Sequence, residues 1–373
     1  MTLDSSPLAA APITQPRFGE AYRVLSDGIA AGAFPGCAFG VLASGRVVLS
    51  DALGRFTYEA GAPQVAPDTI FDVARTLVRL ATTAAAMLLT QRSLLDLDTP
   101  LAELLPGFIV GRARGSNARY VKVRHLLAHS SGLPGYVEFF RSALTPTGLL
   151  RACLELPLQA EPGARAEYSD PGFILLGKGL EVLTGKPIQN WAGREIFEPL
   201  GMSATGFNPP SELRHAIPPT EEDATFRGRA IQGEVQDENA CVLKGVAGHA
   251  GIFSSVPDVL RFAHAILESI NPSASLDGQL FEASTVYRFA QRQAPEGSSR
   301  ALGWDTPSAK SSAGNYFSTH SIGHLGYSGC SLWIDLEAHV AIALLTNRTW
   351  PDRKSQLIRE LRPAFHDAIR EAL

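Results

Sequence analysis

The sequence predicts an α/β chain of the α+β kind, an antiparallel sheet flanked by helices with a large helical part set between its strands. Three observations predict it: a strand hairpin follows an amphipathic helix near the start, strands cluster again before a closing helix, and the long middle is mainly helical. That order brings both chain ends into one sheet. Residues 1–80 and 290–373 are expected to carry the sheet and residues 81–289 the helical part, with a cleft between them.

Taken in order, a Pro- and Ala-rich leader precedes an amphipathic helix from Phe18 to Ala31, with apolar residues at Phe18, Ala21, Tyr22, Leu25, Ile29 and Ala30 and a stop at Gly32. Cys37 to Leu42 and Val47 to Leu49 read as strands joined by a turn at Ser44-Gly45. From Ala74 to Leu89 apolar residues fall on most faces of a helical projection, which predicts one long enclosed helix with Asp72 as its N-cap. Leu94 to Pro100 ends one element and starts another.

A helix from Ile174 to Leu183 stops at Gly185 and Pro187, and another runs from Val256 to Glu268. Between them Gly245, Gly248 and Gly251 imply tight backbone turns close to a pocket. Leu302 to Trp304, Gly323 to Gly326, Cys330 to Asp335 and Val340 to Thr346 read as successive antiparallel strands, and Asp352 to Ala372 as the closing helix. No repeat or low-complexity segment interrupts the pattern.

With 373 residues, 45% hydrophobic and 19% charged, the chain can bury a sizeable core. A formal net charge of -4 gives no basic footprint for nucleic acid, and no Lys/Arg run suits a membrane surface. The expected partner is a small molecule or another protein. Cys37, Cys153, Cys241 and Cys330 are scattered, without C-x-x-C or histidine at ligand spacing, so free thiols are expected rather than a metal site or disulfide framework. The first residues carry no basic, apolar leader pattern and no run reaches membrane-spanning length, which sets cytoplasmic as the expected location.

Phe71-Asp72-Val73-Ala74, Val123 to Gly135, Tyr168-Ser169-Asp170 and His324-Leu325-Gly326 together resemble the serine β-lactamases, penicillin-binding proteins and related esterases, over roughly residues 18–350. The resemblance implies a β-lactamase/transpeptidase-like fold whose cleft is lined by three motifs. In the first, Ser-x-x-Lys follows Phe-Asp-x-Ala. Here Arg75 stands at the serine position and Val78 at the lysine position. Arginine stays protonated and has no nucleophilic oxygen, and valine offers only hydrocarbon, so neither can do the replaced residue's work.

The second motif keeps Tyr168, which the resemblance implies relays protons, with Asp170 in place of the commoner Asn. The third keeps His324 and Gly326, whose strand the resemblance implies holds substrate, but has Leu325 in place of Thr. Losing that hydroxyl removes one polar contact, about 1–3 kcal/mol in a desolvated pocket. Tyr168 could instead simply pack with its hydroxyl satisfied, and His324 could be an ordinary strand-end histidine. His129 and Ser130 are neighbours at a helix end and cannot face each other as base and nucleophile, so that stretch reads as a hydrogen-bonded turn.

Arg75 and Arg79, four apart near a helix start, repel each other and oppose the helix dipole, so something negative is expected beside them. Asp72, Asp170 or Glu238 could serve, or an anionic ligand held by Arg75. Shifting the alignment by one places Thr76 at i and Arg79 at i+3, a threonine-nucleophile reading in which arginine cannot act as base.

Three readings stay open. In one, the protein is a hydrolytically impaired homologue with a ligand-binding cleft, since losing nucleophile and base costs such enzymes on the order of a millionfold in turnover. In the second it is an enzyme, acting through Thr76 or through non-covalent acid/base work by Tyr168 and His324. In the third it is an interaction protein. The residues expected to meet a ligand are Arg75, Arg79, Tyr168, Asp170, His324 and Gly326; no metal or other cofactor is expected.

Overall fold

The computed structural model describes residues 16–373 apart from 75–79, 276–277 and 310. Helix α1 (Gly19–Ala30) leads into β1 (Gly36–Ala43) and β2 (Arg46–Gly54), joined where Ser44 (φ 50°) and Gly45 (φ 72°) both take the left-handed conformation that a two-residue hairpin turn requires. After β3 (Phe71–Asp72) come α2 (Thr82–Gln91), α3 (Leu101–Leu104), α4 (Val123–Leu127), α5 (Pro146–Glu155), α6 (Asp170–Thr184) and α7 (Ile188–Ala192). Short strands β4 (Gly206–Phe207), β5 (Glu221–Asp223) and β6 (Arg229–Ile231) precede α8 (Glu238–Val242), β7 (Ile252–Ser254), α9 (Val256–Ser269) and α10 (Ala283–Ala290). The chain closes with β8 (Ser321–Leu325), β9 (Ser331–Asp335), β10 (Val340–Thr346) and α11 (Ile358–Glu371).

The first two and last three strands form one antiparallel sheet in the order β2-β1-β10-β9-β8. Its centre is apolar on both faces, because helices cover both. Ala38 and Leu42 of β1, with Ala341, Ala343 and Leu345 of β10, enter the large core that also holds α2, α6 and α9. The alternating residues Cys37, Phe39, Val41, Ile342 and Leu344 face α1 and α11 instead. A second sheet, β3-β7-β4, is pinned by Phe71 opposite Ser254.

Several expectations are corrected. Phe71 and Asp72 are extended, Ala74 is left-handed (φ 46°) and α2 spans Thr82–Gln91, so neither Ala74 nor Asp72 opens a helix there. The Asp72 carboxylate instead holds the turn, accepting from Ala74 N at 2.8 Å and Gln236 N at 2.7 Å. Arg75, Thr76, Val78 and Arg79 lie outside the described residues. Leu302 to Trp304 is no strand: Gly303 has φ 78°, and a Cβ there would stand 2.2 Å from Thr83 Oγ1 of α2. Only Asp305 bridges to Gly323 of β8. The closing helix starts at Ile358 rather than Asp352, since Arg353 reaches Glu221 and Glu238 and holds the preceding segment out. The four cysteines are free, Cys241 being only partly buried. No helix among the described residues is long and apolar enough to cross a membrane.

Candidate active-site cleft

Tyr168 stands just before α6, and its placement follows from how that helix begins. Ser169 is the N-cap, its Oγ accepting from Gly172 N at 3.1 Å and donating to Pro134 O at 2.7 Å. Pro171 fits the first turn, where its missing N–H costs nothing, and Gly185 (φ 64°) ends the helix. The loop ahead is pegged by His129, 3% exposed, whose Nδ1 accepts from Ser169 N at 3.0 Å and whose ring lies 4.5 Å from that of Tyr168 and 4.8 Å from Phe173. Because Nδ1 accepts, a neutral His129 carries its proton on Nε2. His129 therefore supports the tyrosine and does not face Ser130.

His324 lies on β8 opposite Leu332 of β9 and is nearly buried. Its Nδ1 is 2.9 Å from Leu325 O, and since a carbonyl only accepts, the proton sits on Nδ1. The His324 and Tyr168 rings are 5.9 Å apart, centre to centre. Thus residues 156 positions apart in sequence, from the second and third motifs, bring their rings together. A Cβ at Gly323 would lie 2.2 Å from Trp333 Cδ2, so only glycine lets β8 approach β9 this closely beside His324.

Beyond Leu325, the Gly326 carbonyl accepts from Arg362 Nη2 at 3.0 Å and from Gly329 N at 3.1 Å. Arg362 Nε also donates to Gly329 O at 2.9 Å. Gly326 is thus part of a braced turn. Burial pushes the Arg362 guanidinium down to about 10, so it is still charged at neutral pH. Asp72, on the opposite side of this turn, receives Ser328 Oγ on its backbone carbonyl at 3.0 Å. Burial, only partly offset by the Gln236 and Ala74 amides, raises its carboxyl to about 6.

Asp170 is buried at the first turn of α6, its N–H on Gly135 O at 2.9 Å. Asp170, Asp237 and His249 bring donor atoms within 4.8 Å of one another, a set that the sequence does not reveal because it joins three separate segments. His249 Nε2 lies 2.9 Å from Asp237 Oδ1, and that oxygen also accepts Ala240 N as the N-cap of α8. Two carboxylates and an imidazole suit a divalent cation in kind, but three ligand atoms, one of them already shared within the group, leave the coordination incomplete. The glycine turns here allow close packing: a Cβ at Gly248 would stand 2.0 Å from Phe173 O of α6.

Of the acidic groups expected to face Arg75 and Arg79, Asp72 receives two backbone amides and Glu238 pairs with Arg353 at 2.7 Å. The sequence reading missed Arg300. Its guanidinium lies over Tyr168, 5.7 Å from the ring centre, and 3.7 Å from Asp305 Oδ2, placing a cation beside the Tyr168–His324 pair. Nothing local in Ser298-Ser299-Arg300 signals this, since the loop carrying it is positioned by Asp305, which bridges both Arg300 and Gly323 of β8.

Residues 22–363 match the family model described as Beta-lactamase. Among curated proteins, the N-acetylmuramyl-L-alanine amidase of Bacillus subtilis (strain 168) is 29% identical over 365 residues, covering 87% of this chain and 80% of that protein. A putative D-alanyl-D-alanine carboxypeptidase of Escherichia coli (strain K12) is 29% identical over 309 residues, covering 75% and 69%. Among solved structures, EstCE1, described as a hydrolase with promiscuous acyltransferase activity, superposes with a TM-score of 0.74 at 22% identity, covering 95% of this chain and 98% of its own. The octameric penicillin-binding protein homologue from Pyrococcus abyssi gives 0.68 at 22% identity, covering 88% and 73%. The antiparallel sheet built from both chain ends is the β-lactamase/transpeptidase-like arrangement, and this chain belongs to the beta-lactamase family.

Proposed function

We propose that this chain is a ligand-binding member of its family that does not form an acyl-enzyme, its cleft accepting a small carboxylate-bearing molecule of acyl or peptide type. The observation that carries the reading is the pair Arg75 and Val78 at the Ser-x-x-Lys positions. Neither side chain can attack a carbonyl or take a proton from a nucleophile. The meeting of Tyr168 and His324 supports a retained site, and Arg300 beside them supports an anionic ligand. The curated relatives are named as an amidase and a carboxypeptidase, which supports a peptide-like ligand. Arg75, Arg79, Asp170 and Gly326 belong to the same reading as ligand contacts, and a cytoplasmic location goes with it.

A second reading rests on the His324 tautomer. With its proton fixed on Nδ1 and Tyr168 close by, the pair could exchange protons with a bound molecule without a covalent intermediate. The test is turnover of a chromogenic cephalosporin and a p-nitrophenyl ester by the protein and by an Arg75→Ser, Val78→Lys double variant. No turnover by the parent, with turnover gained by the variant, is the expected result. Turnover by the parent that Thr76→Ala abolishes would overturn the reading in favour of a threonine nucleophile. Turnover that Tyr168→Phe abolishes, without a mass gain after fluorophosphonate treatment, would favour the acid/base pair.

A further inference from the structure

A concavity of about 300 Å³ opens beyond the end of β10, lined by Tyr58, Arg348, Trp350, Pro351, Asp352 and Ser355. The lining includes neither Tyr168 nor His324. Arg348 is 6% exposed, yet among the described residues it meets no carboxylate. Its Nε donates to Tyr327 O at 2.7 Å, its Nη1 to Ser355 O at 2.8 Å, and its planar face covers the Tyr327 ring at 4.7 Å. The Tyr327 side chain lies against the same guanidinium.

The other charges nearby are largely matched. Arg353 pairs with Glu221 and Glu238, and Asp352 pairs with Lys354 at 2.7 Å. Burial, with Arg359 and Arg353 nearby, pushes the Arg348 guanidinium down, as expected of a cation that lacks a counter-charge. The Ser355 hydroxyl is buried without a hydrogen-bond partner among the described residues, and so is that of neighbouring Thr349. Two aromatic side chains, Tyr58 and Trp350, complete the lining. A fixed cation, an unused hydroxyl and aromatic walls in one concavity match a flat apolar body with one anionic end. Asp352 in the lining disfavours a dianion such as a phosphate monoester.

We propose that this concavity binds a small aromatic monocarboxylate, its carboxylate on the Arg348 guanidinium and the Ser355 hydroxyl, its ring against Tyr58 and Trp350. The charge selects the ligand, and the aromatic walls supply contact area and stacking.

The test is titration of the full chain with benzoate and with its neutral counterpart benzamide, followed by saturation-transfer NMR and tryptophan fluorescence. Benzoate is expected to bind at least about tenfold more tightly than benzamide, since only the anion can pair with the guanidinium. Tyr58→Ala is expected to weaken benzoate about tenfold and Ser355→Ala about threefold. Arg348 also holds the Tyr327 carbonyl, so the fork rather than the charge is probed with Arg348→Lys, which keeps the cation and, with a melting curve matched to that of the parent, is expected to weaken benzoate about threefold. Arg300→Met, in the cleft, is expected to leave benzoate affinity unchanged. Equal affinity for benzamide, no benzoate binding up to about 20 mM, insensitivity to Tyr58→Ala, or loss of binding in Arg300→Met would each overturn the proposal.

Discussion

Tyr168 is positioned by a capped helix start and the His129 ring, whereas the turn beyond His324 is held by a buried guanidinium and a buried carboxyl. On the first wall, Ser169 caps α6 and His129 accepts its amide, and neither contact requires a charge. On the second, Arg362, 4% exposed, clamps the carbonyls of Gly326 and Gly329, and Asp72, 2% exposed, ties β3 to Gln236 and accepts Ser328 through its backbone. The difference teaches that pH and charge changes act on the cleft unevenly. The wall carrying His324 is clamped directly by a buried guanidinium, while Tyr168 is held by local capping geometry, with the buried Asp170, Asp237 and His249 behind it.

Substitution of the clamp breaks this contrast most sharply. Arg362→Met leaves two carbonyls without their charged donor and is expected to destabilise the fold by about 3–4 kcal/mol in urea denaturation. Arg362→Lys should recover only part of that loss, because an ammonium cannot span both carbonyls with the same fork. A loss under about 1 kcal/mol would mean that the clamp contributes little beyond backbone geometry.

The pH dependence is the next largest effect. The Asp72 carboxyl lies near 6 in the folded state, above its ordinary value. The folded protein therefore holds a proton between about pH 4 and 6 that the unfolded chain has released, and stability falls as pH rises through this window. Between about pH 4.5 and 7.5 the parent should lose roughly 2 kcal/mol relative to Asp72→Asn in paired denaturation curves. Parallel curves would show that Asp72 does not carry this dependence. The smallest effect is expected on the other wall. Ser169→Ala should cost about 1 kcal/mol, the usual loss of an N-cap, with no added pH dependence.

Much of the framework was legible because it rests on local rules. Ser44-Gly45 announces the β1–β2 turn through two left-handed residues, and Ser169, Pro171 and Gly185 mark both ends of α6. The apolar runs at Cys37 to Leu42 and Val340 to Leu345 read as strands because helices cover both faces of the sheet. Where the reading failed, a distant partner overrode a local pattern. Ala74 matched a helical stripe, but β3 pairs with β7 some 180 positions on, and Asp72 bonds to Gln236 instead of capping a helix. Leu302 to Trp304 had the composition of a strand, but Gly303 turns to pack against Thr83.

By itself the sequence determined the β1–β2 hairpin, both ends of α6 and the presence of Arg75 and Val78 after Phe71-Asp72-Val73-Ala74. These are properties of adjacent residues, where backbone preference, capping and side-chain chemistry act over a few positions. Only the tertiary structure decided that the Tyr168 and His324 rings meet, that Arg300 stands over Tyr168, that Asp170, Asp237 and His249 converge, and that Arg348 lines a concavity without pairing with a carboxylate among the described residues. Each of these is a meeting of segments far apart in the chain, set by how the sheet and helices bury their apolar faces, and burial leaves no periodic trace at the polar residues it brings together.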